Sequence, residues 1–334
     1  MRRFGLWAIL ILVVVGLSIA SPTFRQPLNL MNVLEQNAII GIVACGMALM
    51  MIAGGFDLSV GAVGATAAVA GAAAAQSFGT IGAIVAALVV GIAVGTVNGL
   101  LISRVKVNAF IVTLSMSSVV LGLLYVATGA ESISIDSPFL RHVASDRWFG
   151  VPVIFLLFLL CIFAVWLVLT RTKYGHYIYS VGGNADASHL SGVPVASVQL
   201  FAFTAGGLFA GFGGLLLLGQ TTIGQPSAAA SWALQAIAIC VVAGIALTGG
   251  VGRAPDVLAA TLLLGVIGNG LNQLSVSPYW QPTVTGLVIL AAVTLDQYNR
   301  IRSSSSAAPP AGAPVPPAPS GSAEVPSEHA APAQ

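Results

Sequence analysis

Apolar stretches of about 20 residues recur along most of this chain, and that is the length that crosses the ~30 Å hydrocarbon core of a bilayer. They fall at residues 4–20, 33–53, 58–76, 80–101, 109–128, 151–169, 198–219, 232–248, 257–274 and 279–295. Lipid offers no partner to a backbone N–H or C=O group, so such stretches span as helices, whose hydrogen bonds are internal. The expectation is an all-α polytopic membrane protein with about ten transmembrane helices. Composition agrees: 57% of residues are hydrophobic and 7% charged, where soluble domains carry about 25% charge. So few charges cannot cover a water-facing surface.

A cleaved signal peptide would begin much as this chain does, with Met1-Arg2-Arg3, an apolar run and an Ile19-Ala20-Ser21 cleavage context. The run is long for such a segment, so a retained first helix is expected. The last stretch has Pro282 in its first turn, where proline is tolerated because first-turn amides lack helical partners.

Orientation follows from the basic residues. With the N-terminus inside, the inner loops and ends hold nine of the 12 Lys and Arg residues: Arg2, Arg3, Arg104, Lys106, Arg171, Lys173, Arg253, Arg300 and Arg302. The outer loops hold Arg25, Arg141 and Arg147. This positive-inside bias puts both termini in the cytoplasm. Trp7, Trp148, Trp166, Trp232 and Trp280 fall near expected span ends, where an amphipathic ring is favoured.

The domain plan is a transmembrane domain over 1–302 and a tail over 303–334. The tail is rich in Ser, Ala, Pro and Gly, cannot bury a core, and is expected to be disordered in the cytoplasm. Gly91, Gly95 and Gly99, and likewise Gly207 and Gly211, recur every four residues, a spacing that lets helix backbones approach closely in lipid. The mixed segment 131–150 is an outer loop with room for a short interfacial helix. Cys45, Cys161 and Cys240 all lie in apolar stretches and read as small buried hydrophobes.

Several chemistries find no support. The only two lysines, Lys106 and Lys173, are followed by Val and Tyr, so there is no Gly-Lys-Ser/Thr phosphate loop and the chain does not hydrolyse ATP by that route. His142, His176, His189 and His329 lack metal-ligand spacing, and neither HExxH nor GxSxG occurs. No metal site and no bound cofactor is expected. A net charge of +2 with no basic patch gives no sign of a nucleic-acid partner.

Asp57, in the break Gly54-Gly55-Phe56-Asp57-Leu58-Ser59, is the one acidic residue deep among apolar ones. A helix cap is the plainer reading, since Asp caps well and the glycines interrupt the preceding helix; a role at an inner gate or in ion coupling is the sharper one. Asn37, Asn98, Thr113, Ser115, Gln235, Asn269, Asn272 and Gln273 are uncharged polar residues within spans. Each serves either as helix–helix glue or as lining for the path of a hydroxyl-rich solute. The segment 171–193, RTKYGHYIYSVGGNADASHLSGV, is the one long polar, glycine-bearing loop inside the hydrophobic body, and the orientation places it in the cytoplasm.

Four blocks, in order, resemble the permease subunits of bacterial ATP-binding-cassette sugar importers, the ribose and other monosaccharide permeases. They are AGGFDLSVG (53–61), VNGLLISRVKVNAFIVTLSM (97–116), YGHYIYSVGGNADASHLSGV (174–193) and GGVGRAPDVLAATLLLGVIGNGLNQLSVSPYWQ (249–281). The resemblance implies a multi-pass protein of the bacterial inner membrane that imports a monosaccharide or similar small polar solute. It implies a second permease subunit, a homodimer being expected, an ATPase subunit that binds the ATP, a periplasmic solute-binding protein, and surrounding lipid. It also implies that the loop carrying Gly182, Gly183, Asn184, Asp186, His189, Leu190, Ser191 and Gly192 contacts the ATPase. Gly54, Gly55, Asp57 and Ser59 then fall at the inner gate. The chain departs from the family pattern where Pro-Glu-Ala-Ala-Arg commonly follows Gly-Gly-Asn: here Ala185-Asp186-Ala187-Ser188-His189 follows. It departs again near the start of the eighth span, where Glu-Leu-Asp-Ala-Ile is replaced by Ala233-Leu234-Gln235-Ala236-Ile237. The rival reading is an ion-coupled secondary transporter or channel, which needs coupling groups at mid-membrane and has only Asp57 as a candidate.

Overall fold

Helices account for nearly all of the structure, a computed structural model that describes residues 2–280 and, beyond them, Thr283, Gly286, Leu287, Leu290 and Thr294. Most of the stretch expected at 279–295 and all of the tail at 303–334 lie outside the described residues. In chain order the elements are α1 (Arg2–Ala20), α2 (Pro27–Ile52), α3 (Val60–Ser103), α4 (Ala109–Thr128), β1 (Ile133–Ser134), α5 (Pro138–Ser145), β2 (Arg147–Trp148), β3 (Val151–Pro152) and α6 (Val153–Arg171). There follow α7 (Lys173–Gly183), α8 (Ala185–Leu190), α9 (Val195–Thr221), β4 (Ile223–Gly224), α10 (Trp232–Val242) and α11 (Ala254–Gln273), then one turn of 3₁₀ helix at Pro278–Trp280. Among the described residues six helices, α2, α3, α4, α6, α9 and α11, are long and apolar enough to cross a membrane, and α1 and α10 are shorter apolar helices.

The 44 residues of α3 are too many for one crossing. Gly79, at φ 63° and ψ −157°, breaks it into two limbs. These limbs correspond to the separate stretches expected at 58–76 and 80–101. A Cβ on Gly71 in the first limb would come within 3.2 Å of the Ala83 carbonyl in the second, so the limbs run back against each other. Helix α9 packs on both. A Cβ on Gly207 would overlap the Gly91 carbonyl, one on Gly91 the Gly207 carbonyl, and one on Gly214 the Gly64 carbonyl. The four-residue glycine spacing is thus a backbone-to-backbone seam, the arrangement that lets helices associate where lipid supplies no hydrophobic drive. Helix α2 lies inside, with every residue from Gly41 to Ile52 buried.

Two local departures matter for the site. The apolar run 232–248 is helical only to Val242; Gly244 takes φ +76°, and the chain continues as a non-helical return to α11. The polar loop 171–193 is largely helical. Thr172 caps α7 by accepting from Gly175 N at 3.2 Å, and Asn184 caps α8 by accepting from Ala187 N at 2.9 Å. At the opposite end, the helix anticipated in 131–150 is α5, accompanied by two antiparallel ladders, β1–β4 and β2–β3, of two residues per strand.

Candidate functional site

Three segments far apart in sequence meet at the α7 end of the bundle. The Gly250 N–H donates to the Ile52 carbonyl at 2.9 Å, tying the 243–253 return to the last turn of α2. Gly182, the penultimate residue of α7, lies against both: a Cβ there would overlap the Ile52 carbonyl and crowd the Gly250 amide. Gly54, Gly249 and Gly250 hold φ values of +93°, +88° and +73°. Side chains at these positions would be strained, and those at Gly249 and Gly250 crowded as well. The Tyr179 hydroxyl donates to the Gly252 carbonyl at 2.8 Å, a second tie between α7 and the return. Burial pushes the Tyr179 phenol above its ordinary pKa, with the Arg253 guanidinium pulling the other way, so it remains a donor. The three backbones touch without intervening side chains, so α7 cannot shift without moving the end of α2 and the return.

Beside this junction Asp57 is buried, 1% exposed. Its Oδ1 accepts from Ser59 N and Ser59 Oγ, both at 2.6 Å, and its Oδ2 accepts from Asn98 Nδ2 at 3.2 Å. Asn98 Nδ2 also donates to Ser59 Oγ at 3.0 Å. The helix expected from Leu58 begins at Val60, with Ser59 as its cap residue, so Asp57 steadies the turn before α3 instead of capping it directly. Asn98, from the second limb of α3, closes the cluster. The exposed face of this end is formed by Gly183, Asn184, Asp186, His189, Leu190, Ser191 and Gly192. Leu190 is 88% exposed, an apolar side chain presented at the tip of α8.

Toward the α5 end, α2, α9, α10 and α11 line a half-open cavity of about 360 Å³. Amide side chains line it from all four helices: Gln36 and Asn37, Gln220, Gln235, and Asn269 and Asn272. Trp232 and Thr261 complete the polar and aromatic wall. Asn269 is held by a reciprocal pair with Asn29, at 2.9 and 3.0 Å, and Gln273 donates to the same Asn29 oxygen at 2.9 Å. These bonds fix α11 against the first turn of α2.

Of the polar span residues singled out from sequence, the structure brings Asn37, Gln235, Asn269 and Asn272 to one cavity. Gln273 acts through Asn29. Asn98, Thr113 and Ser115 lie outside the cavity: Asn98 belongs to the Asp57 cluster, Thr113 is buried in α4 with its hydroxyl unpartnered, and Ser115 is exposed on α4. Sequence reasoning missed Gly249 and Gly250, although a Gly-Gly pair is itself a turn signal. It also missed Tyr179, Gln36, Gln220 and Trp232. Gln36 and Gln220 sit at the edges of the apolar runs 33–53 and 198–219, where a polar residue reads as a boundary.

Residues 29–293 match the family described as the permease component of branched-chain amino acid transport systems. The L-arabinose transport system permease protein of Escherichia coli K12 is 33% identical over 306 residues, covering 89% of this chain and 91% of that protein. The ribose import permease protein of the same organism is 36% identical over 303 residues, covering 89% and 94%. That of Bacillus subtilis 168 is 36% identical over 300 residues, covering 89% and 93%. No solved structure matches the chain. A match over most of the chain, with relatives this similar along nearly their whole length, means that the protein belongs to this family of ATP-binding-cassette transport permeases and is similar to members that carry sugars.

Proposed function

We propose that the chain is the membrane-spanning subunit of an importer that carries a monosaccharide or similar small polar solute into the bacterial cytoplasm, driven by a separate ATPase subunit. The observation that carries this reading is the glycine junction. A helix whose outer surface is free to dock a partner touches, backbone to backbone, the two segments at which the transmembrane helices break. Nucleotide-driven movement of a partner held on α8 would reach the α2 break and the 243–253 return through Gly182. For this to drive transport, the ATPase must bind the inward- and outward-open states with different affinity.

In this reading α7 and α8 face the cytoplasm, as do both termini, after about ten crossings. The α5 end faces outward and receives a solute-binding protein. Two copies of the permease form the complex, and ATP is bound only by the partner. The names of the arabinose and ribose permeases support the solute class. The test is uptake by membrane vesicles or cells in which ATP and the ion gradients are controlled separately. Uptake that follows ATP and survives an uncoupling ionophore supports the proposal. Uptake that collapses with the ionophore while ATP is intact contradicts it and favours ion-coupled transport.

A further inference from the structure

We propose that the amide-lined cavity is a solute site within a single protomer, built for an uncharged, hydroxyl-rich molecule, and that it turns away zwitterionic amino acids. The inference rests on the transport reading above and specifies the solute class that the pathway admits.

The argument is one of charge and hydrogen-bond chemistry. Asp, Glu, Lys, Arg and His are all absent from the described lining. The acidic residue next to it in sequence, Glu35, is turned to the β2–β3 hairpin, where Arg147 lies 3.6 Å from its carboxylate. An amide side chain offers two donors and one acceptor oxygen; with Asn269 tied to Asn29 and an Asn37 N–H given to the Val33 carbonyl, the glutamines Gln36, Gln220 and Gln235 are the amides suited to meet hydroxyl groups in either sense. An amide cannot supply a counter-charge. An ammonium or carboxylate entering this space would lose water and gain no ion pair, which is strongly unfavourable. Trp232 is buried, its six-membered ring set against Gly64 of α3 and Gly213 of α9, and contributes an apolar part of the wall. A volume of about 360 Å³ falls at the small end of the range for ligand cavities, about 300–1,000 Å³. The amides come from α2, α9, α10 and α11, so the site exists only while these four helices keep their spacing. The α2 break and the 243–253 return, which flank the glycine junction, are continuous with three of these walls. Movement at the junction therefore changes the site.

The test uses the full chain, purified without its partners in lipid nanodiscs, with ligand contact read by saturation-transfer NMR. The probes are D-ribose, L-arabinose, D-galactose and D-glucose on one side, and L-leucine, L-valine and L-alanine on the other. At least one sugar is expected to bind and the amino acids are not. Gln36→Leu and Gln235→Leu, on two different helices, are each expected to weaken sugar binding up to about tenfold, the effect of losing one hydrogen bond. Both glutamines are exposed at the cavity rim, so the variants keep the buried packing. Amino-acid binding as tight as sugar binding, binding of neither class, or sugar binding unchanged in both variants overturns the proposal. The assay contains no ATP and no partner, so its failure leaves the ATP-coupling reading standing, and failure of ATP-driven uptake leaves this result standing.

Discussion

Asp57 shows how one polar residue is kept among apolar ones. Its carboxylate accepts three hydrogen bonds, two from Ser59 and one from Asn98, and these hold the turn between α2 and α3. Asp57→Ala removes the acceptor of all three bonds, from Ser59 N, Ser59 Oγ and Asn98 Nδ2, so a loss of about 2–4 kcal/mol is expected in thermal unfolding of the detergent-solubilised protein. Asp57→Asn keeps an oxygen for the Ser59 pair and faces Asn98 less favourably; its expected cost is roughly 1 kcal/mol, with uptake largely retained. Loss of uptake in Asp57→Asn at unchanged stability would show that the charge itself acts in transport. Sequence singled out Asp57 because it stands alone among apolar residues, but its partner Asn98 lies 41 positions away and no local pattern links the two.

Among the elements, α4 was legible to the residue. Asn108 caps its start by accepting from Phe110 N, and Gly129, at φ 62°, ends it, so the sequence signals and the helix Ala109–Thr128 coincide. The run 232–248 was misread for a physical reason. Apolarity reports burial, and the non-helical return is buried against the α2 break, so Ile245 and Ala246 are as apolar as a helix interior. The segment 171–193 was read as a loop because of its glycines and polar residues, yet Thr172 and Asn184 are ordinary helix caps. The α3–α9 seam was visible in the glycine spacing, while the identity of its facing helix was not. Gly207→Ala inserts a methyl into the Gly91 carbonyl, and a destabilisation of about 1–3 kcal/mol or more is expected, seen as a lower thermal transition and reduced accumulation in the membrane. An unchanged transition would mean that the seam is looser than its geometry implies.

For the whole molecule, the apolar helices were legible from hydropathy, whereas the glycine junction was not. It joins residues 52, 182 and 250, and only folding brings them together. The orientation predicts that, in a cysteine-free background, Asp186→Cys reacts with a membrane-impermeant thiol reagent only from the cytoplasmic side. Asp146→Cys should react only from the outside; the opposite pattern would invert the topology. The coupling role separates into two variants. Gly183 is exposed, and a Cβ added there meets nothing within 4 Å, so Gly183→Trp is directed at the proposed docking surface, away from the chain's own packing. Gly182→Ala collides with the Ile52 carbonyl and disturbs the junction behind that surface. The most direct test is capture of the tagged chain from native membranes in mild detergent, with mass spectrometry of what accompanies it. The account predicts a phosphate-loop ATPase with the wild-type chain and with Gly182→Ala, and its loss with Gly183→Trp. A chain that emerges alone, even after cross-linking, would contradict it.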